Sequence, residues 1–121
     1  MNANSFKRRM FFEFLLNKGA IQRKKYEYIN AKDEQLLTIV ALAYANGKRL
    51  SVSDLLNNKV IGSQSSVHSR VIRLLHLKLI EYEKTEDRRR YQVNPTEKLL
   101  RYYDQLGNMS ATIVKMHLDS T

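Results

Sequence analysis

Apolar residues recur at helical spacing over most of this chain and alternate in one short region, and their order defines the expected fold. Phe6, Met10, Phe11, Phe14 and Leu15 predict a helix from near Ser5 to near Lys18, with Gly19 as its C-terminal stop. The next stretch, Ile21 to Ile29, carries Arg23, Lys24, Lys25, Tyr26 and Tyr28. It fits a helix or an extended linker, read first as a solvated basic connector, with an arm lying along phosphates as the alternative. From Ala31 to Ala45 the spacing of Leu36, Leu37, Val40 and Ala43 or Tyr44 gives the strongest helix, with Asp33 and Glu34 near its positive N-terminal end. Asn46-Gly47 ends it. Arg49-Leu50-Ser51 has room for a minimal strand, and Ser51 and Asp54 have the spacing of a capping box opening a short helix through Asn58.

After the turn NNKVIG, Ser63 is placed to cap a further helix. Val67, Val71, Leu74 and Leu75 share one face of it. At about 100° per residue, Ser65, Ser69, Arg73 and His76 fall on the opposite face, with Ser66 and His68 on its flanks. Two helices joined by a short glycine-containing turn make a helix-turn-helix. Ile80, Tyr82 and Lys84 then alternate with Glu81 and Glu83, and Tyr91 and Val93 alternate with Arg90 and Gln92, which predicts a β-hairpin with a polar turn near Thr85–Arg88. Asn94-Pro95-Thr96-Glu97 is expected to start a helix with proline in its first turn, carrying Leu99, Leu100, Tyr103 and Leu106 to a stop at Gly107. Met109 to Leu118 would form a last short helix, with Ile113 and Met116 or His117 packing. The expected fold is mainly α with a small β-hairpin wing, a winged helix-turn-helix over residues 31–106. An N-terminal helix and basic linker (1–30) precede it and a C-terminal helix (107–121) follows.

Charge gives this fold a partner. At 121 residues the chain suits one domain, and its formal net charge is +9 with a pI near 9.9. No acidic residue lies between Asp54 and Glu81, whereas Lys59, Arg70, Arg73 and Lys78 fall inside that span. Such a surface suits a polyanion, and a helix fits the DNA major groove. Gln64 can pair with adenine and Arg73 with guanine, while Ser65, Ser66, His68 and Ser69 can add contacts to bases or phosphates. Ser51, Ser53, Lys59 and Arg70 are placed for the DNA backbone. Arg88, Arg89 and Arg90, on a hairpin directly after the recognition helix, suit insertion into a narrow, electronegative minor groove.

Other chemistry finds little support. The chain has no cysteine, which removes disulfides and thiolate metal sites and fits a reducing cytoplasm. No apolar run approaches the roughly 18 residues that span a bilayer. Glu13 interrupts the apolar FFEFLL, and no small-residue cleavage site follows, so a signal peptide is not expected. His68, His76 and His117 have no metal-ligand spacing, and neither a glycine-rich phosphate loop nor a serine nucleophile elbow is present. No enzyme activity, catalytic residue, metal or cofactor is expected.

The residues Ser63-Gln-Ser-Ser-Val67, Arg73-Leu74, Leu79-Ile80, Asp87-Arg-Arg89 and Val93-Asn-Pro-Thr-Glu-Lys98, with their spacing, resemble the bacterial multiple-antibiotic-resistance regulator (MarR) type of winged helix over roughly residues 33 to 106. The resemblance implies a homodimer paired through its N- and C-terminal helices, with each wing in a minor groove. Asp87 would orient that wing and Arg89 would enter the groove. Lys78 stands where the family commonly has glycine. The aromatic residues Phe6, Phe11, Phe14, Tyr102 and Tyr103 then read as dimer or core surface, with a small aromatic effector between the terminal helices as the further option. The expected function is sequence-specific binding of double-stranded DNA as a transcriptional regulator. The alternatives are a plasmid or phage replication or partition factor, and a winged-helix protein-interaction module. No membrane association is expected.

Overall fold

The structure is a computed structural model that describes residues 3–26, 28–86 and 91–119. Among the described residues, five helices and three strands run in the order α1 (Ala3–Lys25), α2 (Ala31–Ala45), β1 (Leu50–Ser51), α3 (Val52–Leu56), α4 (Gln64–His76), β2 (Ile80–Lys84), β3 (Tyr91–Pro95) and α5 (Glu97–Asp119). They form two compact units, one of residues 1–28 with 101–121 and the other of residues 29–100.

The second unit holds the helix-turn-helix and the wing. Leu36, Leu37 and Val40 of α2, Leu55 of α3, Val67, Val71 and Leu74 of α4, and Ile80, Val93 and Leu99 are all buried. They are the positions that helical and alternating spacing assign to the inside. Burying so many aliphatic side chains, at roughly 1.5–3 kcal/mol each, drives this unit together. Local signals set its helix ends. Asn30 caps α2, accepting from the Asp33 amide at 2.9 Å while Asp33 Oδ2 accepts from the Asn30 amide at 3.1 Å. Ser51 and Asp54 make the same reciprocal pair at α3, as their spacing predicts, and Ser63 caps α4 by accepting from Ser66. Asn46 ends α2, and Gly47 follows at φ 72°, a left-handed conformation that suits glycine.

The sheet is antiparallel in the order β1-β3-β2, so the expected minimal strand closes the inner edge of the wing. Leu50 pairs with Val93 and Ser51 with Gln92 on one side of β3, and Ile80 through Lys84 pair with Pro95 through Tyr91 on the other. Pro95 therefore ends a strand, and the expectation that it lies in the first turn of a helix is corrected. The Thr96 amide donates to the Leu79 carbonyl at 3.1 Å, which makes Ile80–Pro95 a non-hydrogen-bonded pair, and β1 stops short of it. A missing N–H costs nothing there. Thr96 takes over the start of α5, its hydroxyl accepting from the Leu99 amide at 3.2 Å.

Two further expectations are corrected, and both concern glycine. Gly19 does not stop α1, and Gly107 does not stop α5; each helix runs on for 23 residues in all. Neither glycine has the positive φ of a helix stop. Continuation is held by contacts in the first unit: Tyr26 meets Tyr102 edge to face at 4.8 Å, and Phe6 meets His117 in the same way at 5.4 Å. His117 Nε2 lies 2.9 Å from Glu13 Oε2. The buried positions Tyr102, Leu106, Ile113 and His117 keep one helical face through Gly107, so His117 and not the exposed Met116 is the packing residue. The ambiguous basic stretch is helical up to Lys25, with Arg23, Lys24 and Lys25 in the last turn, where cations meet the negative end of the helix.

Candidate nucleic-acid interface

The candidate surface is built on α4. Val67, Val71 and Leu74 are fully buried, which turns the serine-rich side of the helix to solvent. Gln64, Ser65, His68 and Ser69 are exposed, and Ile72 is 41% exposed beside them. Ser66 is half-buried over the turn at Gly62, where its hydroxyl is 3.5 Å from the position a β-carbon would take. The first turn is held in a defined arrangement. Gln64 Nε2 donates to Asn57 Oδ1 at 3.1 Å, Ser65 Oγ is 3.4 Å from Ser63 Oγ, and the Ser69 hydroxyl donates to the Ser65 carbonyl at 3.1 Å.

Arg70 and Arg73 have a different environment. Both reach back to Asp33, which is fully buried at the start of α2. Arg70 Nη1 is 3.0 Å from Asp33 Oδ1 and donates to Asn30 Oδ1 at 2.9 Å, and Arg73 Nη2 pairs with Asp33 Oδ2. Sequence spacing assigned Arg73 to the outer face and gave Asp33 a role only at its own helix terminus. The pairing spans 37 residues of chain, and no local pattern encodes it.

Of the residues expected at the DNA backbone, Ser53 and Lys59 are exposed. Ser51 is half-buried, and its hydroxyl is engaged by the α3 cap. Asp87, Arg88, Arg89 and Arg90 lie outside the described residues. On the strands leading to them, Tyr82 and Tyr91 face each other at 5.6 Å on the side that carries Val93 and Ile80 further in. Burial pushes the Tyr82 phenol above its ordinary pKa. Among the described residues, no group of three or more His, Asp or Glu side chains could hold a metal ion, and no helix is long and apolar enough to cross a membrane.

On α1 and α5, Phe11, Phe12, Leu15, Leu16, Val114, Met116 and Leu118 are exposed. A groove of about 340 Å³ lies among Lys7, Met10, Phe11, Phe14, Ile113 and Val114.

A helix-turn-helix whose second helix leads into a three-stranded wing, with a long helix at each end of the chain, is the winged-helix fold of the MarR type. Solved structures of such regulators have the same fold. A point mutant of S. aureus MepR bound to an oligodeoxyribonucleotide aligns with a TM-score of 0.68 at 14% identity, over 100% of this chain and 85% of that one. Streptococcus pneumoniae FabT in complex with DNA aligns with a TM-score of 0.62 at 15% identity, over 98% of this chain and 80% of that one. A MarR-like transcriptional regulator from Thermotoga maritima aligns with a TM-score of 0.66 at 17% identity, over 100% of this chain and 84% of that one. No protein-family model and no curated protein sequence matches the chain.

Proposed function

We propose that this chain is a cytoplasmic transcriptional regulator that binds double-stranded DNA as a homodimer. One observation carries the reading: α4 buries its aliphatic stripe and turns Gln64, Ser65, His68 and Ser69 to solvent, in a stretch of chain with no acidic residue from Leu55 to Ile80. Those side chains and Ser66 meet base edges and nearby phosphates in the major groove, with Gln64 reading adenine. Ser53, Lys59 and the α3 start at Ser51 meet the backbone, and Arg88, Arg89 and Arg90 enter the minor groove with Asp87 orienting the wing. The reading is supported by two structures that share the fold, a MepR point mutant bound to an oligodeoxyribonucleotide and FabT in complex with DNA.

The homodimer rests on the exposed apolar side chains of α1 and α5. Leu16 at 72% and Phe12 at 57% exposure are costly to leave in water, and a second copy of the same face covers them. In that assembly the groove beside Phe11 and Val114 is closed by the partner's helices. A small aromatic effector is the alternative occupant, since this volume falls in the range of ligand sites.

Band shifts on duplex DNA over a salt series test the function. We expect binding that weakens steeply with salt, because bound phosphates release counterions. Arg89→Ala should weaken binding, and Gln64→Ala should relax sequence preference by about 1–3 kcal/mol at one base position. A replication or partition factor would also bind duplex. A protein-interaction module would not, and the absence of any shift at low salt would exclude the DNA-binding reading.

A further inference from the structure

Arg70 and Arg73 stand three residues apart on one side of α4, and both end on the same carboxylate. Asp33 is 0% exposed, whereas the side chains of Arg70 and Arg73 are 22% and 39% exposed. The carboxylate is fully committed: Oδ1 takes Arg70, and Oδ2 takes Arg73 together with the Asn30 amide. Asn30 closes the cluster by capping α2 with the same Oδ1 that accepts from Arg70. The start of α2 is thereby pinned to the middle of α4. For either arginine to turn toward a phosphate, it would have to leave a buried carboxylate with less than its share of positive charge.

Given the DNA-binding function proposed above, we propose that Asp33 is a positioning residue for the recognition helix. It withdraws Arg70 and Arg73 from the phosphates and leaves contact with DNA to the Gln64–Ser69 end of α4, Lys59 and the wing. An unrestrained guanidinium near the backbone adds affinity for every sequence alike. Holding two of them against the buried Asp33 carboxylate lowers random-sequence binding and fixes the rotation of α4 about its own axis.

The test measures binding of the full-length chain to a random-sequence duplex pool over a potassium chloride series, with circular dichroism to follow the fold. Each phosphate contact contributes about 0.9 to the slope of log affinity against log salt. Lys59→Gln should lower the slope by about that amount. Arg73→Gln should leave it unchanged while lowering the melting temperature. Asp33→Asn, which releases the arginines, should steepen the slope by up to about 1.8, raise random-duplex affinity at low salt and narrow the gap to a selected site. A loss of about 0.9 in Arg73→Gln would overturn the inference, since that guanidinium would then be on a phosphate. A folded Asp33→Asn with an unchanged slope would overturn it too. If Asp33→Asn does not fold, Arg73→Gln decides alone. Failure of the unmodified chain to bind any duplex is a separate outcome, which removes the DNA-binding reading itself.

Discussion

Replacing Lys78 by glycine should stabilise the protein, although it deletes a whole side chain. The α4 helix ends in a paired set of backbone bonds. The Lys78 amide donates to the Leu75 carbonyl at 3.0 Å and the Leu79 amide to the Leu74 carbonyl at 3.1 Å, with Lys78 at φ 59°. This is a Schellman motif, whose left-handed residue is usually glycine. Leu74 and Leu79, the two residues that such a motif brings together, are both fully buried. The Lys78 carbonyl accepts from the Thr96 hydroxyl at 2.7 Å, so the conformation is tied to the start of α5 as well. A β-carbon in this region costs about 1–2 kcal/mol. Glycine gives back roughly 0.5–1 kcal/mol through its more flexible unfolded chain. The net expectation for Lys78→Gly is a gain of about 0.5–1 kcal/mol, a rise of a few degrees in melting temperature. Lys78→Asn should be close to neutral, and Lys78→Val should cost at least about 1 kcal/mol, because β-branching is poorly tolerated there. Chemical denaturation of the three variants measures this directly. A Lys78→Gly protein less stable than the unmodified chain, alongside a harmless Lys78→Val, would refute the strain argument.

Three further outcomes follow from the structure. Gly107→Ala should stabilise by up to about 1 kcal/mol in the same assay, since Gly107 lies inside α5 and an added β-carbon would meet nothing within 4 Å. Leu16→Glu should shift sedimentation toward monomer with little loss of helicity, because Leu16 is 72% exposed and the proposed partner surface is where it would be covered. Burial raises the Tyr26 phenol above 10.0, with Arg101 opposing the shift. The folded state then holds this proton more tightly than the unfolded chain, so its contribution is complete below pH 10 and is lost as pH rises further. Alkaline denaturation of Tyr26→Phe should accordingly show a shallower fall in stability above pH 10.

Much of the fold is legible in the chain because short-range patterns specify it. The spacing from Leu36 to Val40, the Ser51–Asp54 box, the Ser63 cap and the alternation around Tyr82 and Val93 each act over a few residues, and each fixes an element as found. Gly19 and Gly107 mislead because glycine permits a helix stop without imposing one, and the packing of Tyr26 on Tyr102 and of Phe6 on His117 holds the helices through them. Pro95 misleads for a related reason: its tolerance at a strand end depends on the register of Ile80, which is set by the fold. At the candidate site, the exposure of Ser65, Ser69 and His76, with His68 on the flank, follows from periodicity, whereas Arg73, assigned to the same face, turns back to Asp33. Asp33 was hidden, since its charge reads locally as a favourable helix-start residue while its partners sit 37 and 40 positions away. Asn57, which orients Gln64 from the preceding helix, has no sequence signature either.

On the proposed reading, the outward face of α4 and the arginines at 88–90 address one duplex, once from each protomer of a dimer. Selection of bound sites from a random duplex pool tests it most directly. The expected result is an enriched palindrome whose half-sites are centred about one helical turn apart, roughly 34–36 Å, and whose adenine preference disappears with Gln64→Ala. A pool that stays random, or an enriched site indifferent to Gln64, would contradict it.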